Sequence, residues 1–561
     1  MAPTIIAGAI GNCVHVAGVV QFLKIAEDLG FRTYFLGAAV SVDNFIEAIH
    51  KYQPDLVGVS YRLTPEVCGK LLADFQEKLG QKEIEKRKFI FGGTPPVCRV
   101  AEETGLFDRC FTGLENINET IAYLGGKVRS GQGQMADDNL GDDLITRMER
   151  TRPVPLLRHH FGLPDLNSTV QGIKEIADAG VLDIISLAPD QNAQESFFRP
   201  EEMDPIMHGA GGVPIRSRED LLELKKASQR GNFPLMRIYS GTRDLIPWAE
   251  LAAETINNAW GAVPLCWYNV LDGRSKRLPE EAIRENRQAM NWYGKKDIPL
   301  EVNEAHHWSL RDAHDTVAVV MAYLAAYNAK SVGVKKYIAQ YMLNTPPMIS
   351  PAMDLAKMLA KIELIESLHD DSFVSFRQVR AGLLHLSPKE NIAKGQLATS
   401  TSFALQLKPH IIHVVGYCEG DHAATAKDVI ESCEIVHGVI KNCCTGQPDY
   451  LSDPAVIKRK NELLTEAGIL IETIKRLGGE ERNPLASPEV LAKAIQLGIL
   501  DAPHLRGNPY AKGALETRTL NGAIYAWDGS ENRILNEKER CERILRKNTG
   551  DIVAKAVGFQ P

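Results

Sequence analysis

The chain has 561 residues, a net charge of −7 at pH 7 and a hydrophobic content of 44%. This length exceeds that of one ordinary domain, so we expect two or three domains. The mildly acidic balance argues against a nucleic-acid partner or a membrane surface. No uninterrupted apolar run is long enough to span a bilayer.

The cysteines and the first residues bear on the cellular location. The ten cysteines are isolated, apart from Cys443 and Cys444, and none forms a CxxC pair. This usage is typical of reduced thiols. The opening residues run into a strand pattern without a basic region and a cleavage site, so no signal peptide is predicted. Together these features predict a cytoplasmic protein.

The first part of the chain alternates short apolar runs with amphipathic helical patterns. Five such runs with helical crossovers predict an α/β domain with a small parallel, doubly wound sheet and a flavodoxin-like (Rossmann-like) strand order. The predicted strands are residues 4–10, 33–37, 55–60, 88–91 and 109–112. We place this first domain at residues 1–125.

A polar stretch and a second alternating region follow. Residues 126–150 are rich in Gly, Ser, Gln, Asn and Asp, which predicts a linker that lets two domains move. In residues 151–445, eight strand-like runs alternate with helical patterns and predict a (β/α)8 TIM barrel. The predicted barrel strands are residues 156–160, 182–188, 234–239, 263–269, 299–303, 335–340, 373–379 and 411–416. Residues 446–561 are predicted to form a mostly helical extension with a terminal hairpin.

Three loops of the first domain carry candidate ligand-binding residues. The loop after the first strand contains Cys13, His15 and Gly18, and the second contains Ser60, Tyr61 and Leu63. The third, after the fourth strand, contains Gly92, Gly93 and Thr94. All three fall at the carboxyl edge of the predicted sheet, where ligands bind in such folds. Paired glycines let the backbone approach a bulky flat ligand closely.

In order and spacing, these loops resemble the cobalamin-binding domains of base-off, His-on enzymes, whose first loop reads Asp-x-His-x-x-Gly. The resemblance implies that His15 ligates cobalt, that Ser60 contacts the base of the displaced nucleotide tail, and that Gly92 and Gly93 flank that tail. Gly113 fits the end of such a domain. The full cofactor-binding set predicted in this way is Cys13, His15, Gly18, Ser60, Tyr61, Leu63, Gly92, Gly93, Thr94 and Gly113.

Two positions depart from the pattern of that family. Cys13 stands where the aspartate that orients the histidine is expected, and a thiol supports a metal-binding imidazole poorly. Arg62 stands where a leucine is expected. These departures predict a weaker His–cobalt bond or an altered tail pocket. The alternative is a flavodoxin-like domain that binds a flavin or no ligand.

Active sites of barrels gather residues from the carboxyl ends of the strands. Arg158 and Arg237 come from different predicted strands, and paired guanidinium groups suit a substrate carboxylate. Tyr268, Glu304 and His307 fall at neighbouring strand ends. Each also has a structural explanation: the arginines can pair with neighbouring carboxylates, and Tyr268 can pack at the barrel mouth. The histidines at 306 and 307 suggest a zinc pair, but no third ligand is near in sequence.

The barrel region resembles the catalytic subunit of glutamate mutase (methylaspartate mutase). The segments that carry the resemblance are residues 234–237 with 241–244, residues 267–270, and residues 498–503. The resemblance implies that Arg158 and Arg237 bind a substrate carboxylate and that Tyr268 contacts substrate. Ala262 stands where a glutamate that holds the substrate amino group is expected, so we expect a substrate other than glutamate. Glu304 and His307 are then candidates for different contacts.

These patterns predict an adenosylcobalamin-dependent carbon-skeleton mutase that acts by a radical mechanism on a small carboxylate or amino acid. The expected partners are this substrate and cobalamin, and the expected assembly is a homodimer. Corrinoid-dependent methyl transfer, with methylcobalamin, is the second enzymatic hypothesis. The third hypothesis is a corrinoid carrier or sensor without catalytic activity, which would have no use for inward arginines in a barrel.

Overall fold

The computed structural model describes residues 2–113, 115, 117–125 and 143–546. The chain divides into two compact units, Met1–Asp137 and Asp138–Pro561. Most of the predicted linker, residues 126–142, lies outside the described residues. The predicted domain limits therefore stay a prediction.

The first unit is a five-stranded parallel sheet in the order β2-β1-β3-β4-β5. Its strands are β1 (Thr4–Ile10), β2 (Arg32–Val40), β3 (Leu56–Tyr61), β4 (Lys88–Gly93) and β5 (Arg109–Phe111). Its helices are α1 (Ala17–Asp28), α2 (Val42–Tyr52), α3 (Pro65–Leu79), α4 (Gln81–Ile84), α5 (Pro95–Glu103) and α6 (Ile117–Tyr123). This order is the flavodoxin-like one, so the fold predicted for this part is confirmed.

Burial on both faces explains the sequence of the central strands. Every residue of β3 is buried, as expected for a parallel strand covered by helices on two sides. One apolar cluster, which includes Phe45, Val57 and Phe75, packs on one face, and a second, which includes Ile5 and Leu23, packs on the other. The loops at the carboxyl ends of β1, β3 and β4 therefore meet at one edge of the sheet.

The second unit contains eight parallel strands in the order β8-β7-β6-β13-β12-β11-β10-β9. They are β6 (Leu156–Phe161), β7 (Ile184–Leu187), β8 (Leu235–Ile238), β9 (Gly261–Val263), β10 (Leu300–Val302), β11 (Lys336–Leu343), β12 (Val374–Ala381) and β13 (Ile411–His413). Two backbone hydrogen bonds join the ends of this order, from Ser240 N to Ala262 O at 3.0 Å and from Ala259 N to Met236 O at 2.9 Å. The predicted barrel is thereby confirmed.

Helices alternate with these strands and continue beyond them. They are α7 (Leu144–Thr151), α8 (Leu166–Ala179), α9 (Gln191–Ser196), α10 (Arg218–Ser228), α11 (Leu245–Ile256), α12 (Pro279–Lys295), α13 (Ala305–Ser309), α14 (Asp315–Ser331), α15 (Pro351–Glu366), α16 (Glu390–Gln406), α17 (Ala426–Cys443), α18 (Pro454–Leu477) and α19 (Pro488–Leu497). The final strands, β14 (Thr517–Leu520), β15 (Ala523–Asp528) and β16 (Arg533–Ile534), form an antiparallel sheet. Within the described residues, none of the helices combines the length and apolarity of a membrane span.

Helix α7 lies in the stretch predicted as linker and closes the floor of the barrel. Asp143 caps it by accepting a hydrogen bond from Thr146 N at 3.0 Å. Leu144 and Met148, one turn apart, pack into a buried apolar cluster with inward residues at the start of the barrel strands, such as Leu156 and Ile411. The end of the barrel at which the strands begin is therefore sealed, and polar groups lie above this floor.

Candidate functional site

A cavity of about 540 Å³ opens at the carboxyl edge of the first unit's sheet. One wall is helix α1, and the opposite wall is formed by the ends of β3, β4 and β5. Its lining comprises Ala7, His15, Gly18, Val19, Gln21, Phe22, Ile25, Gly58, Val59, Ser60, Arg62, Ile90, Phe91, Gly92, Gly93, Thr94, Pro95, Phe111, Thr112, Gly113, Glu115 and Thr120. Apolar walls with a few polar groups at the rim are typical of cofactor sites.

His15 stands at the mouth of this cavity with its side chain exposed. The Cys13 sulfur lies 3.8 Å from His15 Nδ1, whereas Cys13 itself is fully buried. The thiol therefore occupies the position of the carboxylate that usually supports a metal-binding imidazole. This contact involves Nδ1, so Nε2 is the ring nitrogen that remains for a metal.

The cavity brings together seven of the ten predicted cofactor residues: His15, Gly18, Ser60, Gly92, Gly93, Thr94 and Gly113. The other three lie outside its lining. Tyr61 is buried and donates a hydrogen bond to Asn12 Oδ1 at 3.1 Å, so it supports the loop that carries His15. Leu63 is 39% exposed, and Cys13 lies beneath the loop.

The glycines at this edge of the sheet have different structural roles. A Cβ added to Gly18 would meet nothing within 4 Å, and at Gly92 the nearest atom would be Ser60 Oγ at 3.9 Å. These two positions keep the cavity open. At Gly93, a Cβ would lie 2.6 Å from the Tyr61 carbonyl oxygen and 2.6 Å from a Val97 methyl carbon. Packing alone therefore accounts for Gly93.

Sequence reasoning missed the wall formed by α1. Phe22 and Ile25, which were not predicted, recur at helical spacing after the predicted Gly18 and line the cavity with it. This spacing was visible in the sequence, but an apolar stripe on a helix ordinarily faces the core. Glu115 was also missed: it accepts hydrogen bonds from Thr112 N and Gly113 N, both at 2.8 Å, and so shapes the loop after β5.

Substituting Gly18 by alanine separates stability from binding. Because Gly18 lies in α1 and a Cβ fits there, Gly18→Ala should stabilise the helix by up to about 0.5–1 kcal/mol. The same methyl group projects into the cavity and should weaken cobalamin binding several-fold. Hydrogen exchange of the helix amides and a cobalamin titration measure the two effects, with Gly69→Ala, a helical glycine of α3 outside the cavity lining, as the comparison. Unchanged affinity in Gly18→Ala would show that the cofactor does not use this cavity.

Inside the barrel, Arg158 and Arg237 surround one carboxylate, that of Glu301. Their Nη1 atoms lie 3.9 and 3.7 Å from Glu301 Oε2, and all three side chains are buried. Trp260 Nε1 donates to the same oxygen at 2.8 Å, and Gln378 Nε2 donates to it at 3.2 Å. The two arginines therefore lie within the barrel rather than exposed at its mouth.

Around Glu301, the positive charges of the arginines outnumber the negative charges of the carboxylates. Burial raises the pKa of Glu301, but Arg237 and Arg158 outweigh it, so the pKa is lowered and the carboxylate is ionised. Burial, followed by repulsion from Arg237, lowers the pKa of Arg158. Burial lowers the pKa of Arg380, on β12, and the carboxylates of Glu419 and Glu301 oppose this shift. Two guanidinium groups therefore share the one carboxylate of Glu301, and Arg380 adds a third positive charge nearby.

Two histidines next to these arginines are neutral. Burial is the largest cause of the lowered pKa of His160, and Arg158, Arg237 and Arg380 lower it further. The pKa of His413 is lowered in the same way, by burial first and then by Arg158 and Arg380. His160 Nε2 lies 2.8 Å from Arg158 Nη2, which is consistent with a neutral imidazole that accepts a hydrogen bond. Added negative charge would be stabilised here.

Tyr268 lies in the loop after β9 with a φ of +66°. This is a left-handed conformation that costs a non-glycine residue free energy and is concentrated at functional sites. The loop is held by Ser275 Oγ and Arg277 Nη2, which both donate to the Tyr268 carbonyl oxygen at 2.9 Å. Arg274 stacks on the ring at 4.4 Å, and the His307 ring lies 5.6 Å away.

Glu304 is tied to structural donors on both carboxylate oxygens. Oε2 accepts hydrogen bonds from Leu265 N and Cys266 N at 2.9 Å, and Oε1 accepts one from Trp308 Nε1 at 2.7 Å. Burial raises the pKa of Glu304 to about 7 against these donors. Glu304 thus joins the loops after β9 and β10, and a positioning role fits it better than contact with substrate. His307 is buried, and its carbonyl oxygen accepts a hydrogen bond from Arg311 Nη1 at 2.9 Å.

Comparisons with known proteins find relatives of the first unit. Residues 3–122 match a family model described as B12 binding domain. Dimethylamine corrinoid protein 2 of Methanosarcina acetivorans is 27% identical over 119 residues, which cover 21% of this chain and 52% of that protein. The chain thus spans about half the length of the curated relative that it matches.

Two solved structures are also similar. A cobalamin-binding protein from Desulfitobacterium hafniense is 24% identical and covers 19% of this chain and 52% of that chain, with a TM-score of 0.18. The cobalamin-dependent S-adenosylmethionine radical enzyme OxsB, with aqua-cobalamin and S-adenosylmethionine bound, is 10% identical and covers 87% of this chain and 70% of that chain, with a TM-score of 0.17. TM-scores this low do not establish a shared three-dimensional arrangement.

The family match and the sheet order define the class of the first unit. It is a B12-binding domain with a Rossmann-like fold. The second unit is an eight-stranded parallel barrel followed by helices. The predicted corrinoid cofactor is supported, in preference to a flavin.

Proposed function

We propose that this chain is an adenosylcobalamin-dependent carbon-skeleton mutase that acts on a small carboxylate or amino-acid substrate. The excess of guanidinium groups inside the barrel is the observation that carries the proposal. The assignment of mutase activity to the barrel also rests on the resemblance of its sequence to the glutamate mutase catalytic subunit. The homodimer and the cytoplasmic location stay predictions.

The first unit fits a cobalamin in the base-off, His-on form. His15 would ligate cobalt through Nε2, because Nδ1 faces the Cys13 sulfur. The cavity beside α1 would take the nucleotide tail, with Ser60 near its base and Gly92 leaving room. Adenosylcobalamin, when bound, supplies the radical chemistry that starts the rearrangement. The residues of the chain bind and orient the reactants and exclude water.

The substrate class follows from the excess of positive charge. Besides the three arginines near Glu301 and Glu419, Arg274 and Arg311 lie 3.8 and 3.5 Å from the one carboxylate of Asp272. The Arg311 side chain is 18% exposed, whereas that of Arg274 is 46% exposed and is partly compensated by solvent. Buried charges are costly unless they are compensated. A substrate carboxylate would compensate this excess. Guanidinium groups also fix its orientation, because their planar fork matches a carboxylate in two hydrogen bonds.

The proposed roles follow from these positions. Arg237 and Arg158 would attract and orient the carboxylate, with Glu301 holding both guanidinium groups in place. Tyr268, whose loop is rigidly held, would contact the substrate at the mouth. Glu304 and His307 would support that loop, and the neutral His160 would accept a hydrogen bond without adding charge.

Transfer of label tests this function. The full chain is loaded with adenosylcobalamin tritiated at the 5′ carbon and incubated with a panel of small dicarboxylates and amino acids. We expect tritium in one substrate together with its isomer. Arg237→Met should lower the rate at least ~100-fold, as when an oriented charge contact is lost. Arg230→Met, which breaks an exposed pair with Asp178, should leave the rate unchanged.

Methyl transfer is the second candidate, and the similarity to a dimethylamine corrinoid protein favours it. It requires turnover with methylcobalamin and a methyl acceptor, without tritium transfer from the adenosyl form. That result would overturn the mutase assignment. Corrinoid binding with no product from either cofactor form would favour the carrier or sensor instead.

A further inference from the structure

A mixed cluster of sulfur, nitrogen and oxygen ligands lies beyond the eighth barrel strand. Cys418, His422 and Asp428 each direct one ligand atom into it, and these atoms all lie within 4.8 Å of one another. Cys418 and His422 are one turn apart after β13, and Asp428 is in the first turn of α17. This loop belongs to the carboxyl end of the barrel, where active sites form.

The histidine of this cluster is oriented as a metal ligand would be. His422 Nδ1 lies 2.9 Å from Asp421 Oδ2, and His422 Nε2 faces Asp428 Oδ2 at 3.5 Å. A carboxylate at one ring nitrogen fixes the tautomer and leaves the other nitrogen free to bind a metal. Asp421 is thus a positioning residue that is independent of the three ligands.

Asp428 keeps capacity for a metal. Its Oδ2 accepts hydrogen bonds from Thr425 N at 2.9 Å and Thr425 Oγ1 at 2.6 Å, which fix the carboxylate at the helix start. Its Oδ1 accepts one from the Tyr417 hydroxyl at 3.1 Å, but that hydroxyl lies closer to Glu431, at 2.6 Å. Oδ2, the oxygen that faces His422 Nε2, is thus already engaged by Thr425. Oδ1 retains a lone pair and is the oxygen through which Asp428 would bind a metal.

We propose that Cys418, His422 and Asp428 bind a zinc ion, with a fourth position open to water or a ligand. One thiolate, one imidazole and one carboxylate suit this borderline-soft ion, and three protein ligands are typical of zinc sites that keep an open position. With zinc–ligand bonds of about 2.0–2.3 Å, ligand atoms in a tetrahedron are about 3.3–3.8 Å apart. Shifts of about an ångström in the side chains complete this geometry. The proposal does not depend on the corrinoid.

The test uses the cobalamin-free full chain, so that cobalt from the cofactor does not interfere. Zinc is titrated against a chromophoric chelator, and bound metal is counted by mass spectrometry. We expect one zinc per chain. Cys418→Ser and His422→Gln should each weaken zinc binding at least ~100-fold, beyond the ~10–100-fold typical of an outer-shell partner. Asp421→Asn should weaken it about 10-fold.

Matched controls and a second measurement complete the test. Cys444→Ser and His504→Gln change exposed residues of the same types and should leave zinc binding intact. Replacing zinc by Co2+ in the unaltered chain should produce a thiolate-to-cobalt charge-transfer band, which reports a cysteine ligand even where a variant fails to fold. Loss of the band in Cys418→Ser, but not in Cys444→Ser, would assign it to Cys418. Less than one zinc per chain, full affinity in Cys418→Ser, or a Co2+ spectrum without that band would each overturn the proposal.

Discussion

Replacing His15 by alanine should abolish the spectral change that marks histidine-ligated, base-off cobalamin. The side chain is exposed at the mouth of the cavity, with Nδ1 facing Cys13, so Nε2 is the nitrogen that the substitution would take from the cobalt. We expect at least a ~10-fold loss of cobalamin affinity, because even outer-shell changes at metal ligands cost about 10–100-fold. The visible spectrum of the full chain, titrated with adenosylcobalamin, measures both effects.

His50 is the matched control for this variant, since it is an exposed histidine of the same unit, on α2. His50→Ala should keep the spectral change and the affinity. Cys13→Ala should give a smaller loss than His15→Ala, because a thiol is a weak partner for the imidazole. If His15→Ala still showed the histidine-ligated spectrum, another side chain would hold the cobalt and the assignment of His15 would fail.

Replacing Glu301 by glutamine should destabilise the barrel by about 3–5 kcal/mol, the usual cost of leaving a buried ion pair with one partner. Glutamine preserves the shape and an acceptor for Trp260, but it leaves the guanidinium groups of Arg158 and Arg237 without their shared carboxylate. All six tryptophans lie in the second unit. Urea denaturation followed by tryptophan fluorescence therefore reports on the second unit and not on the first.

The destabilisation should depend on pH in a defined direction. The pKa of Glu301 is lowered in the folded chain, so its contribution to the free energy of unfolding is fully present above the unfolded pKa of about 4.3. That contribution is lost as the pH falls through the folded value. The difference between the unaltered chain and Glu301→Gln should accordingly be largest near neutral pH and shrink in acid.

Glu363→Gln is the control for the Glu301 variant. Glu363 forms an ion pair with Lys460 at 2.9 Å, but its side chain is 55% exposed. Exposed pairs contribute about 0–1 kcal/mol, so this variant should unfold almost like the unaltered chain. Equal effects of the two substitutions would mean that the Glu301 centre is screened by water, and the argument for an anionic substrate would lose its basis.

The sequence alone predicted both parallel sheets, because the alternation of apolar runs and amphipathic helices is a local property of parallel α/β folds. It also placed His15, Ser60 and Gly92 at one edge, since loops after parallel strands end on the same side. Seven of the ten predicted cofactor residues line the one cavity for this reason. In the barrel the sequence selected Arg158, Arg237 and Tyr268 by their positions at strand ends.

Only the tertiary structure decided what these side chains contact. Arg158 donates to Gln378, 220 residues away along the chain, and Trp260 donates to Glu301. No local periodicity encodes such pairs, because closing the barrel is what brings the strands together. The same closure tied Glu304 to backbone donors of another loop and left the guanidinium groups in excess. Local patterns therefore determined where the polar residues stand, and the packing of distant strands determined which charges remain for a substrate.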